Sequence, residues 1–288
     1  MPTPYDSRKN GSPSTYFVSM KDQRDELTRL SGQDRMLTAG MGGPLAEQPA
    51  PLTFQQVLDV GCGPGAWLME VAQTSSAQKL IGIDISQQMI DYANAQAARA
   101  HLSERVSFQV MDALQPLAFP NATFDLVNMR LGSSYLRTWD WPRVLGEFIR
   151  VTRSGGTIRL VDTENGHQSN SRALTGMFAL FANALFQAGH SFTDERTGLV
   201  SHLPRLLTQY GCTAIQTNIS ALEFRAGTSQ GKAYFKNLVH MQNARFFVQK
   251  WDSTKGDFDA LYQQALQDAQ QSDFVATWTF HTIWGIRP

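Results

Sequence analysis

The sequence predicts an α/β fold, a mainly parallel sheet with helices on both faces, and three observations carry that prediction. Short apolar, strand-like runs alternate with helical segments between residues 55 and 165. The first such strand, Val57-Leu58-Asp59-Val60, runs straight into Gly61-Cys62-Gly63-Pro64-Gly65 and then into a helix. The last third changes character: long helical stretches there are separated by two further strand-like runs.

Each element follows from local pattern. Residues 1 to about 15 are rich in Pro, Ser and Gly and read as loose chain. Leu27, Leu30 and Leu37 among charges suggest one or two short amphipathic helices over 21–38, ended by Gly40, Gly42, Gly43 and Pro44, with 44–54 as a linker. QVLDV is the first strand, and Leu68, Val71 and Ala72 share one face of the helix after the glycine turn. LIGID (80–84) is the second strand; Ser86 caps a helix with Met89, Ile90, Ala93, Ala97 and Ala100 on one side. VSFQV (106–110) and Phe124–Met129 are the third and fourth. Asp140 is placed to cap a helix carrying Pro142 in its first turn and Val144, Leu145, Phe148 and Ile149 inward, and Gly155-Gly156 is placed to stop it. Thr157–Val161 is the fifth strand. Beyond it, helices are expected over 171–188, 199–209, 231–251 and 257–270, and strands over 212–224 and 274–286.

Bulk composition excludes several classes. Lys plus Arg and Asp plus Glu balance at 25 each, so no basic excess supports nucleic-acid binding. The opening MPTPYDSRKN lacks a secretory apolar region, and no apolar run approaches a membrane span. The two cysteines, Cys62 and Cys212, are too few for a disulfide framework or a CxxC-type zinc site. A reduced, cytoplasmic protein with no metal, no membrane and no nucleic-acid partner is expected.

A strand–glycine turn–helix unit leaves helix N-terminal N–H groups to meet an electron-rich ligand, and it admits two ligand classes. Gly61-x-Gly63-x-x-Ala66 fits a dinucleotide fingerprint, and Gly61-x-Gly63-x-Gly65 fits an S-adenosylmethionine turn. Asp84, about 20 residues on, serves the ribose hydroxyls in either case. Asp59 tips the balance. A buried carboxylate two residues before the turn is costly without a cationic partner, and the methionine end of S-adenosylmethionine supplies an ammonium.

The set VLDVGCGPG, IGIDIS-x-x-M, VMDALQPLAFPNATFDLV and RVLGEFIRVTRSGG resembles the class I S-adenosylmethionine-dependent methyltransferases of the small-molecule, methyltransferase-11/25-like type, over roughly residues 50–165. Ser154 departs from the Pro usual before the paired glycines. The resemblance implies a Rossmann-like, seven-stranded sheet, the last strand antiparallel, with a helical cap. It implies that Asp59 and the backbone of Gly61, Cys62, Gly63 and Gly65 hold the methionine part and that Asp84 binds the ribose. Ile85 and Met89 would cover the adenine, Asp112 and Ala113 would edge it, and Asn128 and Met129 would lie near the sulfonium. It divides the chain into an N-terminal cap (1–52), a cofactor-binding core (53–165) and a remainder with substrate-covering helices (166–288).

The expected activity is methyl transfer to a small, partly apolar acceptor. A weakly acidic acceptor needs a base. His240, in the inserted helices, ranks first, ahead of His190, His202, His281 and Glu164. On the acceptor side, Arg130 directly after strand four is placed to orient an anionic group, Phe178 belongs to an aromatic set suited to an apolar pocket, and Tyr16 would lie over the cofactor as N-terminal segments do in similar enzymes. The alternatives are an NAD(P)-dependent oxidoreductase, disfavoured by Asp59 and Asp112, and a non-catalytic S-adenosylmethionine-binding protein.

Overall fold

The computed structural model describes residues 23–48, 53–252 and 256–288. Tyr16 lies outside them. Among the described residues the strands form one eight-stranded sheet. Strands β1 (Gln56–Val60), β2 (Lys79–Asp84), β3 (Val106–Val110), β4 (Phe124–Arg130) and β5 (Thr152–Thr163) are parallel in the order β3-β2-β1-β4-β5. Strand β8 (Val275–Ile286) runs antiparallel between β5 and the edge strand β7 (Thr213–Arg225). The antiparallel pair matches the expected strands six and seven. A two-residue strand, β6 (Gln168–Ser169), extends the β5 side of β8 and has no counterpart in the sequence pattern.

Period-two alternation on the buried strands sorts the interior onto two faces. Val57 and Leu80 face α2 (Ala66–Thr74) and α3 (Gln87–Arg99), packing with Trp67, Leu68, Ile90 and Phe108. Leu58, Val60 and Ile83 face the other way, against Trp141, Leu145 and Phe148 of α4 (Trp141–Val151) and Leu203 and Leu207 of α6 (Leu203–Gln209). A third apolar cluster joins α5 (Arg172–Gln187), α7 (Ser229–His240), α8 (Ala244–Trp251) and α9 (Phe258–Asp268) to Leu222, Phe224, Ala276 and Phe280 of the antiparallel pair.

Several boundaries differ from the sequence pattern. One helix, α1 (Gln23–Gly40), covers the N-terminal segment. The stretch 231–251 is two helices broken by a 3-10 turn at Met241–Asn243, which lets Phe247 and Val248 turn inward. The 199–209 helix begins only at Leu203, because Pro204 fits a first helical turn and not an interior one. Ser86 and Ser171 cap as side chains, accepting from the N–H groups of Met89 and Leu174. Asp140 does not: its carboxylate accepts from the Arg137 N–H instead, at 2.8 Å. Gly155 and Gly156 lie inside β5, with α4 already ended at Val151, and Ala100 is exposed. Residues 44–48 are more than a linker, since Leu45 is buried and Glu47 pairs with Arg159.

Candidate functional site

The glycine turn leaves β1 at the carboxyl edge of the parallel strands, where open α/β sheets take ligands. Gly61, Gly63 and Gly65 all have positive φ, at 70°, 51° and 78°. Side chains also press on two of them: a Cβ at Gly61 would lie 2.5 Å from the Tyr135 Oη, and one at Gly65 would lie 2.5 Å from the Phe108 ring. A Cβ at Gly63 would meet nothing within 4 Å, so this glycine borders open space.

The turn's own N–H groups are engaged within the protein. Gly61 and Cys62 both donate to the Ile83 carbonyl, and Gly65 donates to the Cys62 carbonyl. Gly63 donates to Asp84 Oδ2 at 3.0 Å. Helix α2 has Gly65 at its N-cap and no side-chain cap there. Asp34 of α1 takes that part, accepting from the Trp67 N–H at 2.8 Å and placing a carboxylate at the positive end of the helix.

Asp84, at the end of β2, is half-buried and also accepts from the Ser86 N–H at 2.9 Å. Burial raises its pKa, opposed by its bonds from Ser86 and Gly63. Ile85 beside it is 70% exposed, a large apolar side chain standing free at the mouth of the turn. Met89 is buried beneath the same edge. Asp112 and Ala113 are half-buried after β3, where Asp112 holds its own loop by accepting from the Leu114 N–H at 2.8 Å.

Asp59 points into the sheet interior, not toward solvent. It is 3% exposed and accepts from Asn128 Nδ2 at 2.7 Å. Asn128 Oδ1 accepts from Arg159 at 2.7 Å, and Arg159 completes the row against Glu47. Burial pushes Asp59 up to about 7, against the pull of Asn128 and Arg159. Asn128 and Met129 are fully buried, Asn128 within this row and Met129 in the core, which leaves only their main chain to border a ligand.

Arg130 is not placed to orient an acceptor. Its guanidinium is ion-paired with Asp34, bonds Thr38 Oγ1 at 3.2 Å and lies 5.7 Å from the Trp67 ring centroid. It fastens α1 to the sheet edge.

The loop after β4 is a feature that the sequence pattern missed. Leu131 is a non-glycine residue at φ +55°, a strained conformation that surrounding contacts must hold. Asp162 at the end of β5 does so, accepting from the Ser133 N–H at 2.9 Å and the Ser133 hydroxyl at 2.6 Å. Burial pushes Asp162 up to about 6, opposed by these bonds. The loop delivers Tyr135 over Gly61, and the buried Tyr135 hydroxyl has no partner among the described residues. An orphaned hydroxyl above the turn, open space at Gly63 and the half-exposed Asp84 together fit a polar, nucleoside-like group.

The same loop borders a cavity of about 320 Å³, lined also by Glu164 to His167 after β5, by Phe178 and Phe181 of α5, and by Tyr234 and Leu238 of α7. Phe178 of the expected aromatic set lines this cavity. His240 reaches the rim, at the exposed end of α7. His190 lines the cavity; His202 does not, and stacks on Phe192. Glu164 is spent on Arg196 at 2.9 Å and His281 at 3.3 Å. His167, which the sequence pattern passed over, lies in the wall with Nδ1 2.6 Å from the Tyr234 hydroxyl. Its signal was position: it follows β5 closely, at the edge where every other site residue leaves the sheet.

Residues 57–156 match the family model described as Methyltransferase domain. The aklanonic acid methyltransferase DauC of Streptomyces sp. (strain C5) is 42% identical over 120 residues, 41% of this chain and 52% of that protein. The 27-O-demethylrifamycin SV methyltransferase of Amycolatopsis mediterranei is 33% identical over 138 residues, 48% of each chain. The chain thus spans about half the length of these curated relatives. A Haemonchus contortus phosphoethanolamine N-methyltransferase 2 structure matches with a TM-score of 0.53 at 16% identity, covering 87% of this chain and 53% of that one, a likeness of fold. Among the described residues, no helix is long and apolar enough to cross a membrane.

Proposed function

From the premise that residues 57–156 are a methyltransferase domain of the class I, S-adenosylmethionine-dependent family, we propose that this chain methylates a small, partly apolar molecule held in the cavity beside the glycine turn. One observation carries the reading. The turn after β1, Asp84 after β2, Asp112 after β3, the Leu131–Leu136 loop after β4 and the His167 wall after β5 all gather at one carboxyl edge, and an aromatic-walled cavity opens there.

In this reading the cofactor supplies an activated methyl group on a positive sulfur. The chain supplies position and dryness. Asp84 takes the ribose hydroxyls, keeping its bond from Gly63 so that the turn and the sugar are held by one carboxylate. Ile85 closes over the adenine and loses its exposure. Asp112 and Ala113 border the adenine edge. The carbonyls of the turn, backed by the buried Asp59, receive the ammonium. The Tyr135 hydroxyl gains a partner on the same side. Helix α1, with α5, α7 and α8 from the 166–288 segment, excludes water, and holding acceptor and methyl group in line is worth many kcal/mol, roughly 7–11 in favourable cases.

The relatives' names, with aklanonic acid and 27-O-demethylrifamycin SV as the compounds they act on, support a small-molecule substrate. Calorimetry with S-adenosylhomocysteine should give saturable heat, and Asp84→Ala should weaken it at least tenfold by removing the ribose bonds and freeing the Gly63 and Ser86 N–H groups. Incubation with methyl-labelled cofactor and a metabolite extract should label a low-mass product. No heat with S-adenosylhomocysteine, or heat with NAD alone, overturns the reading.

A further inference from the structure

Two of the histidines that line the cavity, His167 and His190, have their protons fixed in opposite places. Tyr234 is 3% exposed, and a buried phenol hydroxyl finds an acceptor. Among the described residues, the partner of that hydroxyl is His167 Nδ1, at 2.6 Å. Tyr234 therefore donates and Nδ1 accepts. A neutral imidazole with one nitrogen accepting carries its proton on the other, so His167 Nε2 is an N–H donor. Burial lowers the His167 pKa to about 3, which keeps the ring neutral.

His190 is the converse. Its Nδ1 lies 2.9 Å from the Leu136 carbonyl, and a carbonyl only accepts. Nδ1 carries the proton and Nε2 presents a lone pair. That Nε2 is buried in a side chain 2% exposed and makes no hydrogen bond of good geometry among the described residues, although the Ser133 backbone lies near the ring. The other hydroxyls of the wall are engaged: Ser133 donates to Asp162, and Thr163 Oγ1 accepts from the Trp278 indole at 2.5 Å. Around these groups the wall is aromatic. Phe178 lies over His167 with ring centroids 4.0 Å apart, and Trp278 lies 4.8 Å away.

Resting on the reading that this cavity holds the methyl acceptor, we propose that it takes a flat aromatic compound carrying a hydroxyl and, elsewhere on the ring system, a carbonyl oxygen. The hydroxyl donates to His190 Nε2. The carbonyl accepts from His167 Nε2–H. Tyr234 is a positioning residue that fixes the His167 tautomer, and Phe178 and Trp278, packed against the His167 ring, hold it in the wall. A compound with two hydrogen-bonding groups of opposite sense satisfies both nitrogens, whereas an unsubstituted ring leaves the buried His190 Nε2 unpaired.

Umbelliferone, a flat fluorescent bicycle with a hydroxyl and a carbonyl, is the test probe. Coumarin lacks the hydroxyl and β-naphthol lacks the carbonyl. Fluorescence titration of the full chain should show umbelliferone binding about fivefold to tenfold more tightly than either. His190→Phe should erase the advantage over coumarin and keep that over β-naphthol. His167→Phe should do the reverse, His167→Gln should restore the carbonyl preference by supplying a donor, and Tyr234→Phe should weaken that preference alone. If His167→Phe or His190→Phe fails to fold, the wild-type ranking of the three probes together with His167→Gln and Tyr234→Phe keeps the test decisive. Equal affinity of the wild-type chain for all three probes, absence of umbelliferone binding, or loss of both preferences together in each variant overturns the proposal. A chain that binds S-adenosylhomocysteine without discriminating the probes sinks this inference alone; one that shows the crossed pattern without binding S-adenosylhomocysteine sinks the methyl-transfer reading.

Discussion

Arg159 and Glu47 meet at two points inside the protein, Nε to Oε1 at 2.6 Å and Nη2 to Oε2 at 3.2 Å, although 112 residues separate them. The side chains are 1% and 5% exposed. Burial alone would raise the Glu47 pKa, but the adjacent Arg159 charge and its hydrogen bonds reverse that and leave it lowered. Glu47→Gln should therefore strand a buried guanidinium and cost about 3–5 kcal/mol in chemical denaturation. Replacing both partners, as Glu47→Leu with Arg159→Met, should cost much less than Glu47→Gln. Equal losses would mean that the pairing carries no energy of its own.

Asp59 sets a pH dependence of the opposite sign to that of Glu47. Its folded pKa of about 7 lies above the ordinary carboxylate value, with burial as the largest cause. The folded chain keeps a proton that the unfolded chain releases, so stability falls as pH rises from about 4 to about 7. Asp162, raised to about 6 by burial, adds to the same slope. Glu47, with its lowered pKa, contributes stability above the unfolded carboxylate value that is lost as pH falls through its folded pKa. Asp59→Asn should flatten the fall, raising stability at pH 8 by on the order of 2–4 kcal/mol while weakening S-adenosylhomocysteine binding. Denaturant midpoints measured from pH 4 to 8 check the slope; an unchanged profile contradicts it.

Tyr135→Phe separates folding from binding in the same way. The buried hydroxyl has no partner among the described residues, so its removal should stabilise the ligand-free chain by about 1 kcal/mol. If that hydroxyl is held ready for the cofactor, affinity for S-adenosylhomocysteine should drop severalfold in the same variant. A lower melting temperature with unchanged affinity would show instead that the hydroxyl serves the fold.

Arg130→Met should lower stability by about 1–3 kcal/mol, because it leaves Asp34 without its ion pair and loosens α1 from Trp67. Acceptor affinity should not change. A selective rise in KM for the acceptor, with stability intact, would return Arg130 to the substrate side.

Most of the parallel half of the sheet was legible because β1, β2 and β4 are buried on both faces and bounded by turn residues, so that QVLDV, LIGID and FDLVNM stand out as apolar runs. The positions of Gly61, Gly63, Gly65 and Asp84 were legible too, since positive φ and a carboxylate at a strand end leave a mark in residue type. Hydrogen-bond partners were not. Whether the Gly63 N–H is free or bound, and whether Arg130 faces a ligand or Asp34, depends on chain segments brought together from far away. Tyr135 and His167 escaped notice for a related reason: each sits in a loop without periodicity, and each matters through a contact, with Gly61 or Tyr234, that no local pattern encodes.

The apolar cluster of α5, α7, α8 and α9 with the antiparallel strands is distinct from the two clusters that flank the parallel strands. Repacking of that cluster is therefore felt mostly by its own members. Substitutions at Phe178, Phe181 or Leu238 can thus reshape the chamber wall while the bend at Gly61 to Gly65 stays as it is. Shape on one side and backbone geometry on the other become separately adjustable.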